Sequence, residues 1–156
     1  MLITFLASLL IWFMFLGLIF LWFYDGKVTK EAVAHAIFSS FLAFLIAEVL
    51  KSVFHTARPF EINGLKAMTI YAPMDGSFPS SHSAASFALA TTLWFHDRKV
   101  GLVYLLLALI VGTARVSSNV HYPVDILAGS LLGTFTAMTV DQRHFFKLFF
   151  KRVRKR

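Results

Sequence analysis

The sequence predicts an all-α membrane protein, a polytopic helical bundle of about five transmembrane helices with its N-terminus outside and its C-terminus inside. Of the 156 residues, 58% are hydrophobic, and none is a cysteine. Ordinary soluble domains contain about 45–50% apolar residues. A soluble chain of about 150 residues buries only about 70% of its surface, so it could not hide this many apolar side chains. The composition therefore argues against both a cytosolic globular enzyme and a disordered chain.

Long apolar runs predict the five spans, within a single domain that covers residues 1–156. The first run, Leu2–Tyr24, carries no charged residue and is long enough to cross about 30 Å of hydrocarbon. It has no basic start and no small-residue cleavage site, so we expect a retained helix rather than a signal peptide. The other four predicted spans are residues 32–54, 80–95, 100–114 and 123–140.

The distribution of basic residues predicts the orientation. With the N-terminus outside, most Lys and Arg residues fall on the inner side, as the positive-inside rule requires. The basic segment 141–156 is then a cytoplasmic tail that contacts anionic lipid. Only Lys51, Arg58, Lys66 and Arg115 stay outside. The basic tail alone does not make nucleic acid an expected partner, because no other feature of the sequence indicates nucleic-acid binding.

Three polar motifs lie at the outer ends of the predicted spans: Lys51-x6-Arg58-Pro59, Pro79-Ser80-Ser81-His82 and Arg115-x5-His121-x3-Asp125. Guanidinium and ammonium groups are suited to phosphate, which carries nearly two negative charges near pH 7. Lys51 and Arg58 are about two helical turns apart, so they share one face if the helix continues until Pro59 ends it. The motifs therefore predict an outward-facing phosphate site.

The second and third motifs add reaction chemistry. Pro79 and Ser80 stand where a helix begins, and the free N–H groups of that first turn attract anions. Pro123 is favoured at the first position of a helix, which places His121 in the preceding loop and Asp125 in the first turn. A carboxylate there can keep one imidazole nitrogen protonated while the other attacks phosphorus. His82 is the candidate acid for the leaving oxygen.

Several other residues have a purely structural interpretation. Glu48 is expected to pair with Lys51 on one helix face, and Lys51 or Arg58 taken singly could simply snorkel at the interface. The spacing Gly129-x3-Gly133 predicts close helix packing within the last span.

The remaining histidines are not assigned to a site. His35, His96 and His144 fall near the inner boundary, and no sequence pattern marks them as ligands. His55 lies between two motif residues but has no pairing partner in the sequence. No metal and no cofactor are therefore predicted.

The three motifs together resemble the signature of the type-2 phosphatidic acid phosphatase family, in the expected order over residues 51–125. Membrane members of that family are helical-bundle lipid phosphatases, commonly with six spans, and soluble vanadium haloperoxidases and bacterial acid phosphatases share the signature. Two positions depart from it: Ser81 stands where Gly is usual, and Ala114 where Ser is usual. Thr113 or Ser117 could supply the hydroxyl that Ala114 lacks.

The resemblance implies a metal-independent hydrolase that works through a phosphohistidine. His121 is then the nucleophile, Asp125 its orienting carboxylate and His82 the general acid. The implied phosphate-binding residues are Lys51, Arg58, Ser80, Ser81 and Arg115.

A site at the outer interface of a bundle meets lipid headgroups, so the expected substrate is a lipid phosphate or diphosphate. Undecaprenyl diphosphate is the first choice, in a bacterial cytoplasmic membrane with the site facing the periplasm. Phosphatidylglycerophosphate, phosphatidate and lipid A phosphates stay open, as does a carrier that binds lipid phosphate without chemistry. A haloperoxidase is disfavoured by the spans. The outer loop 60–78 either rests on the interface and helps to select the headgroup or is a plain tether.

Overall fold

The computed structural model describes residues 1–24, 28 and 30–142, and all regular secondary structure within them is helical. Within these described residues, seven helices follow one another: α1 Leu2–Ser8, α2 Leu10–Tyr24, α3 Lys30–Phe54, α4 Pro59–Asn63, α5 Ser81–His96, α6 Arg98–Ser117 and α7 Pro123–Val140. Of the predicted basic tail, only Asp141 and Gln142 belong to the described residues. The rest of the tail lies outside them.

Helix α5 occupies the centre of the bundle and packs against α3, α6 and α7. Its buried side chains are mostly Ala and Ser, and small side chains let neighbouring helices approach closely. The main apolar cluster lies between α2, α3, α5 and α6, and Leu18, Leu89 and Leu93 are fully buried within it. Helix α5 is thus enclosed by other helices, so it can be short and rich in small or hydroxyl-bearing residues.

The outer surface of the bundle is apolar. Large hydrophobic side chains of α2, α3, α6 and α7 stay exposed, among them Trp12, Phe38, Leu106 and Phe135. In the part of the chain that the structure describes, three segments are long and apolar enough to cross a bilayer, namely Lys30–Asn63, α6 and α7, and a fourth is added if α1 and α2 count as one span. The chain is therefore an integral membrane protein of helical architecture.

The first predicted span is not one straight helix. Helices α1 and α2 meet at Leu9 with a bend of 57°. Two contacts from distant segments lie at the bend: Arg115 Nη1 donates to the Ala7 carbonyl at 3.1 Å, and the Ile70 N–H donates to the Ser8 hydroxyl at 3.2 Å. The apolar run carries no sign of this bend, because both partners come from elsewhere in the chain.

The prediction that Lys51 and Arg58 share one helix that Pro59 ends is wrong. Helix α3 ends at Phe54, and His55 takes a positive φ of 44°. Pro59 begins α4 instead, at a position where its missing N–H costs nothing. The Arg58 N–H at the cap of α4 donates to the Glu61 carboxylate at 2.7 Å.

Candidate active site

The residues of the three motifs converge at one end of the bundle. The C-terminal ends of α3 and α6 meet there with the N-terminal ends of α5 and α7, because α3 and α6 run antiparallel to α5 and α7. The connection between α4 and α5 crosses the same end and hydrogen-bonds to the α6–α7 connection, with the Met68 N–H donating to the Ser118 carbonyl at 2.9 Å. Four helix ends and one loop thus build the candidate site.

Lys51 is buried, and its ammonium group contacts three side chains. Its Nζ lies 2.5 Å from a carboxylate oxygen of Asp75, 2.9 Å from the Ser81 hydroxyl and 3.0 Å from Glu48 Oε1. The contact with Glu48 confirms the pairing predicted from their spacing. Because an ammonium group has three N–H donors, all of them are satisfied before any ligand binds.

Arg58 is the largest fully buried side chain of the protein's described part, at 1% exposure. Its Nη2 donates to Asp75 Oδ1 at 2.9 Å, and its Nη1 donates to the Val120 carbonyl at 2.7 Å. The same Nη1 lies 3.3 Å from Nε2 of His121. Arg58 thus links the loop before α5 to the nucleophile candidate.

Arg115 reaches the same imidazole from α6. Its Nη2 lies 3.4 Å from His121 Nε2, while its Nη1 donates a hydrogen bond to the Ala7 carbonyl. Its Nε–H is buried and finds no acceptor among the described residues. Two guanidinium groups close to one ring, with a donor still unused, favour an anionic ligand at this point.

The contacts of His121 define its tautomer. Nε2 faces two guanidinium donors, so it carries the lone pair, and Nδ1 carries the proton that points to Asp125 Oδ2 at 3.3 Å. Burial lowers the pKa of His121 to about 4, and the charges of Arg115 and Arg58 act in the same direction. The hydrogen bond to Asp125 opposes them. A neutral ring with Nε2 unprotonated is the form that can attack phosphorus.

Asp125 is held by more than its histidine. Its Oδ2 accepts hydrogen bonds from the Ser77 hydroxyl and, at 2.8 Å, from the Tyr122 N–H. Its backbone carbonyl also accepts from the Ser80 N–H at 3.1 Å. The carboxylate therefore has a fixed position from which it can orient the His121 ring.

The three polar residues of the second motif have different surroundings. Ser81 contacts Lys51, whereas the Ser80 hydroxyl caps α5 by accepting from the Ser83 N–H at 3.4 Å. Ser80 thus shapes the start of the helix, and the first-turn N–H groups of Ser81 and His82 have no acceptor in a helix of this geometry. The His82 ring makes no hydrogen bond within the described part of the chain and is one of the residues that line an apolar pocket.

That pocket lies between α2, α3 and α5 and has a volume of about 330 Å³. Apart from His82, Ser40 and Ala85, its lining is large and apolar: Ile11, Trp12, Phe15, Ile37, Phe41 and Phe44. It joins a histidine of the second motif to a space that suits a hydrocarbon chain.

Two residues of the site are absent from the sequence predictions. Asp75 bridges Lys51 and Arg58, and Ser77 supports Asp125; both belong to the loop 60–78, which is therefore more than a tether. Burial acts to raise the pKa of Asp75, but the hydrogen bond and charge of Lys51 and the charge of Arg58 outweigh burial and lower the pKa. The sequence feature that could have indicated Asp75 is its position four residues before Pro79 of the second motif.

The hydroxyl that Ala114 lacks is not replaced by its neighbours. Thr113 is exposed and donates to carbonyls of its own helix, at 2.9 Å to Leu109 and 3.1 Å to Ile110. Ser117 is exposed as well.

Comparison with known proteins gives a consistent result. The model of the PAP2 superfamily matches residues 32–153. A bacitracin transport permease protein of Bacillus licheniformis is 31% identical over 88% of this chain and 68% of its own length. An undecaprenyl-diphosphatase of Bacillus subtilis is 29% identical over 74% of this chain and 58% of its own length. This chain thus spans between 58% and 68% of the length of these two relatives.

A solved structure agrees with the fold. The crystal structure of LpxE from Aquifex aeolicus superimposes with a TM-score of 0.71 at 27% identity, over 88% of this chain and 80% of that one.

Proposed function

The chain belongs to the PAP2 superfamily, and on this premise we propose that it is a lipid phosphatase that acts through a phosphohistidine at His121. One observation carries the proposal. Nε2 of His121 faces two buried guanidinium groups, while Asp125 holds the opposite nitrogen of the ring. This arrangement orients a neutral nucleophile toward the place where a phosphate dianion is attracted most strongly.

In the proposed reaction, Lys51, Arg58 and Arg115 bind the phosphate oxygens together with the first-turn N–H groups of α5. Nε2 of His121 attacks phosphorus, and the bond from phosphorus to the leaving oxygen breaks. His82 gives that oxygen a proton, and Asp125 stabilises the positive charge of the phosphorylated ring. Neutral His82 then takes a proton from a water molecule that attacks phosphorus, and the bond from phosphorus to His121 Nε2 breaks. Phosphate is released, and both histidines return to their starting forms. Electrostatic stabilisation by the three cations is the largest contribution.

The contacts that Asp75 makes in the unliganded site also support this proposal. Its carboxylate lies between Lys51 and Arg58, where it stands in for two oxygens of a phosphate group. It neutralises and orients the two cations until a phosphate dianion displaces it. The reaction needs no metal at this place, because the charged groups that face phosphorus are themselves cations.

The proposed substrate class is an isoprenoid lipid diphosphate, with undecaprenyl diphosphate first. The apolar pocket beside His82 offers space for the hydrocarbon next to the reacting group. The Bacillus subtilis relative is named an undecaprenyl-diphosphatase, which points to the same lipid. Phosphatidylglycerophosphate, phosphatidate and lipid A are the competing substrates, and a carrier without chemistry is the competing function.

We place the site at the outer face of a bacterial cytoplasmic membrane, in a bundle of five spans with the N-terminus outside. The excess of Lys and Arg on the opposite side supports this orientation. Helix α5, with 16 residues, is the proposed span that falls short of a full bilayer crossing. A reporter fused after Arg156 tests the orientation: it has to behave as cytoplasmic, and an external reporter would reverse the proposal.

The loop 60–78 is proposed to rest on the membrane interface and to help select the headgroup. Its apolar side chains Leu65, Ile70, Tyr71 and Met74 are exposed beside the site. Exchange of this loop with that of a relative, keeping Asp75 and Ser77, should change substrate preference. An unchanged preference would leave the loop with a supporting role only.

Phosphate release from a panel of lipid phosphates, in detergent and with EDTA, tests the function itself. Wild-type protein and a His55→Ala control should release phosphate, and His121→Ala should not. Brief incubation with labelled substrate should leave acid-labile phosphate on the wild-type chain. Full activity of His121→Ala would reject the nucleophile, and binding without release from any lipid would favour the carrier.

A further inference from the structure

A second cluster of polar side chains lies at the end of the bundle opposite to the phosphate site. His35 belongs to the second turn of α3, His96 ends α5, and Asp141 caps the C-terminus of α7. One ligand atom from each residue lies within 4.8 Å of the other two. We propose that these three residues bind a single divalent transition-metal ion of the zinc type.

The distances suit a metal site with small adjustment. Asp141 Oδ2 lies 2.7 Å from His96 Nε2, and Asp141 Oδ1 lies 3.8 Å from His35 Nδ1. Zinc bonds of about 2.0–2.2 Å in tetrahedral geometry separate neighbouring ligand atoms by about 3.3 Å. The two observed separations lie on either side of this value but involve different oxygens of Asp141. One ligand atom from each residue lies within 4.8 Å of the other two, so rotations of the side chains would bring one nitrogen of each histidine and one carboxylate oxygen to a single ion.

The donor set indicates the kind of ion. Two imidazoles and one carboxylate suit zinc and its neighbours in the first transition series, whereas magnesium and calcium prefer oxygen ligands. Nδ1 of His35 is buried and makes no hydrogen bond with any described residue, while the side chain as a whole is 34% exposed. The unused nitrogen therefore faces the cluster, and the ring borders the surface from which an ion can enter. Water completes the fourth position.

The site connects the same helices that carry the phosphate site. Helix α3 carries Lys51, α5 carries Ser81 and α7 carries Asp125, each 15 or 16 residues from the cluster. At 1.5 Å per residue, roughly 22–24 Å separate the two sites, which is too far for the ion to touch the substrate. The ion stabilises the bundle by holding three helix ends together, and the phosphatase reaction does not depend on it while the chain stays folded.

Zinc binding tests the proposal directly. Protein prepared without a histidine tag is stripped with EDTA, loaded with Zn²⁺, desalted and analysed for metal. We expect about one zinc per chain in the wild type and in His55→Gln, a control that removes an exposed imidazole elsewhere. His35→Gln and Asp141→Asn should bind at least about 100-fold more weakly, because loss of a ligand costs more than loss of a supporting contact.

Thermal unfolding supplies a second readout. Zinc at 100 times the wild-type Kd should raise the unfolding temperature of the wild type by about 5–11 °C and that of His35→Gln by at most about 2 °C. His35 is partly exposed, so we expect His35→Gln to fold. This variant therefore tests the proposal even if Asp141→Asn does not fold. A wild type without zinc after desalting, or His35→Gln with a full equivalent, would overturn the proposal. Loss of phosphatase activity in folded, zinc-free protein would overturn the purely stabilising role.

Discussion

Replacement of Gly133 by alanine is the sharpest test of how the bundle positions its site. A Cβ at Gly133 would lie 2.1 Å from the Ala84 carbonyl oxygen, 2.9 Å from its carbonyl carbon and 3.0 Å from the Ala88 nitrogen. All three are backbone atoms of α5, so no side-chain rotation can relieve the contact. A carbon and a carbonyl oxygen approach to about 3.3 Å, so α5 and α7 have to separate by about 1 Å.

This separation would reach the chemistry because α5 carries His82 and α7 carries Asp125. Misplacement of reacting groups by about 1 Å can lower the rate by about 100-fold. We therefore expect Gly133→Ala to lower kcat for phosphate release by about that factor, and to lower the unfolding temperature as overpacked cores do. Saturating lipid phosphate in detergent is the assay, so that kcat is separated from KM.

A control separates loss of stability from loss of geometry. At Gly17 a Cβ would meet the hydroxyl of the Tyr104 side chain at 2.6 Å, far from the phosphate site. Gly17→Ala should lower the unfolding temperature while kcat stays near the wild-type value. Wild-type kcat and unfolding temperature in Gly133→Ala would refute the close packing of α5 on α7. An equal loss of kcat in both variants would refute the geometric reasoning.

Three further predictions concern the site itself. Asp125→Asn lets the ring adopt the wrong tautomer, so phosphate release should fall by about 10³–10⁴-fold without loss of fold by circular dichroism. Asp75→Asn removes the carboxylate that competes with phosphate for Lys51 and Arg58, so the inhibition constant of inorganic phosphate should fall at least about tenfold. An unchanged inhibition constant would contradict the proposal that phosphate displaces the Asp75 carboxylate. The pKa of His121 is lowered to about 4 in the folded chain, against 6.5 in the unfolded chain. As the pH falls, the imidazole of the unfolded chain therefore takes up a proton before that of the folded chain does. Its contribution to stability is complete above pH 6.5 and is lost as the pH falls toward 4, so unfolding temperatures of wild type and His121→Gln should converge over that window.

Much of the site follows from short-range spacing. Asp125 and His121 lie four residues apart across the start of a helix, so a proline and a capping position suffice to predict that they meet. Glu48 and Lys51 pair on one face of α3 for the same reason. Gly129-x3-Gly133 predicts a packing face without naming the partner helix, and the partner is α5.

Contacts between distant segments could not be predicted in this way. Asp75 and Ser77 enter the site through a loop that has no periodic pattern, and Arg58 leaves the helix on which it was predicted to lie. The bend at Leu9 accompanies a hydrogen bond from Arg115, 108 residues away from its acceptor. Such contacts depend on which helix ends become neighbours after packing.

From the sequence alone came the membrane environment, the helical class and the set of cations and imidazoles suited to phosphate, because composition and local spacing act within single helices. Only the tertiary structure decided which carboxylates accompany those groups and that His35, His96 and Asp141 lie together at the other end. The reason is geometric: these residues come from three helices, and a cluster of that kind exists only once the helices pack side by side.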